Sequence, residues 1–273
     1  MPEAPEVEAL ARALRPLIRG RKIRCCRLVH PVVVPAPQRF SLARNVRGAR
    51  ILGVKRRGKY LLLPLSRGGI IFHFRFDGQL LWFDESNNTP PPNIHVDVLF
   101  HLDRGTIAFV DPRHLGRVEW HESPEQIPGI RFLGPDALSP RLAVSTLAGI
   151  LSRSDHPVKV VLLDQTRIAG IGNIYSSESL WRARLDPRRP ANSLRAPEIR
   201  RLHKAVVSVL RRALECCQNP APDFRDPSWW FTGLDRILAV YGREGKPCRR
   251  CGRKIRRIAQ AQRSTFCCPG CQE

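Results

Sequence analysis

Val7, Leu10, Leu14 and Leu17 recur at three- and four-residue intervals, which predicts an amphipathic helix over residues 5–17, with Gly20 placed to end it. Residues 22–34, 48–65, 69–83 and 95–110 are then rich in Val, Ile, Leu and Phe in short runs that fit strands, and Asp103-Arg104-Gly105 reads as a hairpin turn. Residues 87–93 hold three prolines and read as a loop. Beyond Gly134-Pro135-Asp136 the spacing turns helical over residues 139–151, 173–184 and 196–216. Residues 216–230 are proline-rich and irregular, and the last 26 residues carry clustered cysteines. The class expected is α+β: an N-terminal helix and β-sandwich over residues 1–134, a helical domain over 135–238, and a small cysteine module over 239–273.

Composition narrows the partner. The 273 residues carry 46 Lys and Arg against 24 Asp and Glu, a net charge of +22, and a field of that sign selects a polyanion, either nucleic acid or an anionic membrane face. The 42% hydrophobic share is enough for a core and excludes disorder throughout. No apolar run approaches the roughly 20 residues that span a bilayer, and MPEAPEVEAL lacks the basic and apolar regions of a signal peptide. The reading is a soluble, cytoplasmic protein without a membrane partner.

Five of the nine cysteines fall between Cys248 and Cys271, which points to metal rather than disulfides. Cys248-x-x-Cys251 and Cys268-x-x-Cys271, sixteen residues apart, have the spacing of a four-cysteine zinc ribbon. Four thiolates complete a tetrahedron with no open position, so the single zinc ion is structural and holds together a hairpin too short to build a core. Cys267 stands outside the spacing and is a spectator. Seven basic residues from Arg249 to Arg263 lie on or between the two knuckles. A solvated face is one explanation; phosphate contact is the other, and coincidence with a zinc hairpin favours it.

At the start, Met1 is followed by Pro2, Glu3 and, after two residues, Glu6. Removal of Met1 exposes the secondary amine of Pro2, which titrates near 8 and is a better nucleophile at neutral pH than an exposed lysine. Attack on a sugar C1′ gives an iminium ion, an electron sink for elimination, and a neighbouring carboxylic acid such as Glu3 can move protons. Proline and glutamate are equally ordinary in the first turn of a helix.

These features recur in order with RRGKYLLL at 56–63, Asp111-Pro112-Arg113, AGIGNIYSSESLW at 169–181, VYGREGKPC at 240–248 and QRSTFCCPGC at 262–271. Together they resemble the formamidopyrimidine-DNA glycosylase / endonuclease VIII family of base-excision repair, closer to the formamidopyrimidine branch, over essentially the whole chain. The resemblance implies a β-sandwich, a helix–two-turns–helix domain and a zinc finger that bind double-stranded damaged DNA as a monomer. It implies a bifunctional glycosylase and abasic-site lyase that removes oxidised bases through a Pro2 Schiff base, with successive β and δ eliminations. Glu3 would be the acid at the deoxyribose ring and Glu6 would organise the site. Lys59 would contact phosphate near the lesion, Asn173 and Arg263 would clamp phosphates, and Lys159 would lie near the damaged base. Phe76, Arg113 and Leu115 would fill the gap left by an extruded base, with Arg113 hydrogen-bonding the orphaned partner. Outside that context Lys59 reads as a strand-edge lysine, Asn173 as a helix N-cap, and Phe76 and Leu115 as core residues.

The chain departs from the branch in places. Phe76 stands where Met is usual and Leu115 where Phe is usual, and His73-Phe74-Arg75-Phe76 replaces a smaller, glycine-containing stretch. Between Glu215 and Leu238, Cys217-Gln218-Asn219-Pro220, then Ala221-Pro222 and Trp229-Trp230-Phe231, replace a Gly-Gly-Thr-Thr stretch and a lesion-embracing loop. Proline removes amide donors there, and the tryptophans either stack on a base or pack the loop down. This change bears on oxidised-purine recognition and leaves abasic-site cleavage untouched. Two other classes fit parts of the pattern: a non-catalytic damaged-DNA-binding protein of the same fold, and an RNA-binding zinc protein.

Overall fold

The computed structural model describes residues 2–84, 94–219, 223–224, 229 and 233–273. These form two compact units, one built on residues 6–131 with 1–2 and 217–232, the other on 132–216 and 233–273 with 3–5. The expected loop at 87–93 and the aromatic residues Trp230 and Phe231 lie outside the described residues.

In the first unit, helix α1 (Ala4–Ile18) buries Val7, Leu10, Leu14 and Ile18, and Gly20 follows it at φ +83°. Strand β1 (Ile23–Leu28) and the short helix α2 (Leu42–Val46) lead into β2 (Lys55–Arg57), β3 (Tyr60–Pro64), β4 (Gly69–His73), β5 (Gln79–Phe83), β6 (Val96–Leu102), β7 (Thr106–Val110) and β8 (Arg117–His121), then helix α3 (Pro128–Arg131). The strands pair antiparallel in two sheets, ordered β1-β6-β7-β5 and β2-β3-β4-β8. Phe72 of β4 meets Phe100 of β6 edge-on at 6.0 Å and stacks on Phe109 of β7 at 5.9 Å, so the inner faces of the two sheets interlock as in a sandwich. The expected turn at Asp103-Arg104-Gly105 joins β6 to β7, with Gly105 at φ +75°.

Several expected elements divide. Residues 48–65 hold two strands joined by the two-residue loop Gly58-Lys59, and residues 69–83 hold β4 and β5 around a turn that carries Phe76. Strand β8 falls beyond the expected β region. Its sequence, RVEWH, buries only Val118, and pairing with β4 recruits it.

The second unit contains α4 (Val144–Ser152), α5 (Val158–Leu163), α6 (Asn173–Ala183), α7 (Ala196–Gln218) and α8 (Leu234–Ile237), then the hairpin of β9 (Arg256–Gln260) and β10 (Arg263–Cys267). Leu202, Val206, Leu210 and Ala213 line one face of α7 and pack with Leu147, Leu151, Val161 and Tyr175. Helix α5 is unexpected: VKVVLL is β-branched and reads as a strand, yet Val158, Val161 and Leu162 sit in that core. The hairpin module has only a small core of Val240, Ile255, Cys248 and Cys268. No helix among the described residues is long and apolar enough to cross a membrane.

Candidate DNA-binding and catalytic site

The second unit gathers one group of the expected residues around the start of α6. Gly172 caps this helix, and Asn173 is its first residue rather than its cap. The amide N–H groups of Gly172 and Ile174 donate to the two carboxylate oxygens of Glu3 at 2.5 and 2.8 Å, and the N–H of Ala4 donates to Gly170 O at 3.0 Å. A buried carboxylate on a helix N-terminus is favourably placed, and this contact fixes Glu3 and the segment just after Pro2.

With its backbone at the helix start, Asn173 turns its side chain to the zinc hairpin. Its Nδ2 donates to Ser264 O at 2.9 Å, beside Arg263, and its Oδ1 accepts from Lys159 Nζ at 2.8 Å. Lys159 is fully buried on α5 and also donates to Thr265 Oγ1 at 2.7 Å and Ser264 O at 3.3 Å. Three acceptors meet its three protons. Burial nevertheless lowers this ammonium group to about 7, with Glu3 opposing the shift and Arg263 adding to it. Arg263 itself is exposed and follows Ala261 and Gln262, at φ +46° and +58°, the left-handed pair of a two-residue hairpin turn.

Tyr241, its ring 5.1 Å and edge-on to Phe266 of β10, supports the same corner. Glu178 of α6 anchors it by accepting the amide N–H groups of Ala239, Val240 and Tyr241 at 2.8–2.9 Å. Sequence reasoning missed Thr265, Tyr241 and Glu178 as supports, because their partners lie 61–106 residues away. The only signal was position: Glu178 lies in the 169–181 motif and Thr265 in the 262–271 motif.

The Sγ atoms of Cys248, Cys251, Cys268 and Cys271 all lie within 4.8 Å of one another. Soft thiolates in a closed set of four suit a structural zinc ion, and Cys267 is outside the set. Two donors lie near Cys248 Sγ at 3.4 Å, the Trp181 indole and the Arg250 amide, and would tune the thiolate that ligates the ion.

The first unit holds the remaining residues. Pro2 and Glu6 are buried at the start of the chain. Lys59 occupies the β2–β3 hairpin tip behind Gly58 at φ +57°, rather than a strand edge, and is mostly buried. His73 closes β4, its ring edge-on to Tyr60 at 4.6 Å. Burial, helped by the Arg75 and Lys59 cations, pushes its imidazole down to about 3, so it is neutral in ordinary buffers.

Phe76 and Leu115 are each 48% exposed, so neither is a core residue. The Arg113 guanidinium lies 4.9 Å over the Phe76 ring and pairs with Asp77, a partner that sequence reasoning missed. Asp111 is buried and braces this loop, accepting from Arg113 N at 3.1 Å and Gly116 N at 2.6 Å. His114, held by Asp97 at 2.5 Å, sits at φ +52°, and Arg75 at +53°. Non-glycine residues in this region cost about 1–3 kcal/mol each, and here they flank the three exposed side chains. Trp229 is buried with its ring edge-on to Phe224 at 6.5 Å, the packed-down alternative for that residue.

Known proteins share this sequence pattern and fold. The chain matches the family models for the formamidopyrimidine-DNA glycosylase N-terminal domain over residues 1–118, its H2TH domain over 133–221, and the zinc finger found in FPG and IleRS over 245–273. It is 41% identical to a formamidopyrimidine-DNA glycosylase of Moorella thermoacetica across 94% of each chain. Crystallographic MutM (Fpg) from Thermus thermophilus superposes with a TM-score of 0.84 at 38% identity, covering 99% of this chain and 98% of that one. Lactococcus lactis Fpg in complex with DNA containing an abasic site superposes at 0.88 with 30% identity and 99% coverage of both.

Proposed function

The chain belongs to the formamidopyrimidine-DNA glycosylase family, whose members are DNA N-glycosylases with abasic-site lyase activity, and we propose that it performs this base-excision chemistry through Pro2 and Glu3. It removes oxidised bases from double-stranded DNA, as a monomer in the cytoplasm, and is organised as the three domains read from its sequence.

With Met1 removed, the lone pair of the Pro2 amine attacks C1′ of the damaged nucleotide, and the C1′–base bond breaks with its electrons leaving on the base. The amine proton passes to the departing base, Glu3 protonates the ring oxygen, and the nitrogen lone pair expels that oxygen as the C4′ hydroxyl, which opens the sugar and leaves the C1′ iminium ion. Removal of a C2′ proton expels the 3′ phosphate and a second elimination expels the 5′ phosphate, after which water frees the amine. Two amides orient Glu3 for this task, and Glu6 lies in the first turn of α1, which begins just after Glu3. Arg263 and Asn173 clamp phosphates, and Lys159 acts through them because it is buried. Lys59 takes a further phosphate, beside a neutral His73 whose Nδ1 accepts from the Arg75 amide and whose Nε2 is left to donate. Phe76 and Leu115 occupy the space of the extruded base while Arg113 meets its partner. The zinc ion supplies no chemistry; it holds the hairpin that presents Arg263.

The observation that carries this reading is the Glu3 carboxylate seated on the amides that lead into Asn173, which ties the N-terminus to the clamp. The test is borohydride trapping on an abasic-site duplex, with mass spectrometry confirming loss of Met1. A covalent adduct is expected from the processed chain and none from a chain with an uncleaved extension before Pro2, although both bind the duplex. Tight binding without any adduct from the processed chain would overturn the enzyme reading in favour of a damage-binding protein.

A further inference from the structure

Helix α6 and the zinc hairpin lie side by side in the second unit, joined at both ends. Asn173 bonds to Ser264 O at one end, and Trp181 bonds to Cys248 Sγ at the other. The eleven residue steps from Asn173 to Arg184 span about 16 Å of helix. The five residues of β9 span about as much between the knuckle and the turn that presents Arg263. The clamp therefore occupies one end of this pair, and whatever lies at the α6 C-terminus and the knuckle is well removed from it.

What lies there is a cavity of about 600 Å³ lined by Arg184, Arg189, Arg195, Arg201 and Arg250, with Glu198 and Glu273 as its acids. Glu198 is taken by Arg189 at 2.7 and 3.2 Å and by the Arg195 amide at 2.8 Å. Five guanidinium groups line this cavity against two glutamate side chains, and one of those, Glu198, is already committed within its wall. Arg250 lies 4.3 Å over the Trp181 ring and donates through Nη1 to Trp181 O at 3.2 Å, which fixes its place in the wall. Trp181 also walls an adjoining cavity of about 190 Å³ with Arg182, Arg212 and Arg249, where the one acid, Glu178, is spent on backbone amides. Every basic residue in both cavities is arginine. Its planar fork matches a phosphate oxygen pair and is weakly hydrated, which suits a phosphodiester better than a diffuse cloud of counterions.

We propose that this arginine-lined face is a second phosphodiester site, which takes the backbone of a DNA segment other than the one held at Asn173 and Arg263. It goes beyond the clamp assigned above and rests on that assignment only for being separate from it. DNA is the occupant the setting favours: with the clamp filled, flanking or neighbouring DNA is already present at high local concentration.

The test uses the full-length, zinc-loaded protein saturated with one equivalent of an unlabelled short abasic-site duplex, then titrated with a labelled undamaged duplex at several salt concentrations. The wild type is expected to bind the second duplex. In Arg184→Gln/Arg195→Gln/Arg201→Gln/Arg250→Gln its affinity should fall by about tenfold or more, and the slope of log K against log salt should flatten by about 3–4. Zinc content and abasic-site cleavage at saturating duplex should stay unchanged in Arg184→Gln/Arg195→Gln/Arg201→Gln, which leaves the knuckle intact. The milder Arg195→Gln/Arg201→Gln, both at exposed positions, should show about half the flattening and covers a folding failure of the fourfold variant. Asn173→Ala/Arg263→Ala should lose the first duplex and keep the second, which separates failure of the clamp from failure of this site. A wild type that takes one duplex only, full second binding in the arginine variants, or saturation of the site by inorganic phosphate without a second duplex would each overturn the proposal.

Discussion

Phe72 and Phe76 are four residues apart, and only one belongs to the core. Phe72 is fully buried between the two sheets, so Phe72→Ala should cost about 3–5 kcal/mol of stability. Phe76 is half-exposed under Arg113, so Phe76→Ala should stay within about 1 kcal/mol of wild type while weakening binding to abasic-site duplex. Thermal unfolding and a binding isotherm on the same two variants check both, and a large stability loss at Phe76 would return it to the core. Lys159 makes a pH-dependent prediction. Its folded value near 7 lies below the unfolded value near 10.4, so between these the unfolded chain binds the extra proton and stability rises with pH. This group contributes at most about 1.4 kcal/mol per pH unit across that window. The Tm of wild type should therefore climb relative to Lys159→Met from pH 7 to 9.5; parallel curves would show that Lys159 keeps its proton when buried.

Among the elements, the zinc hairpin depends most on something outside its own packing. Its apolar core is small, and the four thiols converge without any other covalent link. Chelation should melt the hairpin and release Lys159, Asn173 and Arg263 together, since all three meet at Ser264 and its neighbours. DNA binding should then be lost with most helical circular dichroism retained, and added zinc should restore it. Retained binding without zinc would show that the clamp does not need the hairpin. This module was legible in the sequence because its ligands repeat at short, fixed spacing. The opening helix and the hairpin turn at 103–105 were legible for the same local reason. Strand β8 and helix α5 were not, since pairing with β4 and burial against α6 and α7 override weak or contrary local patterns. Within the site, the Cys248–Cys271 set and the prominence of Pro2, Glu3, Asn173 and Arg263 could be read from motifs. The burial of Lys159, its bond to Thr265 and the Arg113–Asp77 pair could not, because each depends on a partner brought in by folding.

For the whole molecule the governing quantity is the net charge of +22, which acts on every phosphate and distinguishes no base. Binding to undamaged duplex should fall steeply with salt, with a slope of log K near −0.9 for each phosphate neutralised. Under the proposed function, recognition of the lesion rests on other forces: Phe76 and Leu115, both half-exposed, would fill space by apolar contact, and Glu3 is held by amides within its own unit. An abasic site also lowers the cost of opening the stack, a term without counterions. Abasic-site and undamaged duplexes of equal length therefore share one salt-dependent contribution, and their affinity ratio should stay nearly constant between 50 and 200 mM salt, while each affinity alone falls by about 10³–10⁵ for six to ten contacts. Titrating both duplexes at the same salt concentrations decides the matter. A ratio that collapses in step with the affinities would place lesion recognition on the cationic groups, Arg113 first among them, instead of on the apolar wedge.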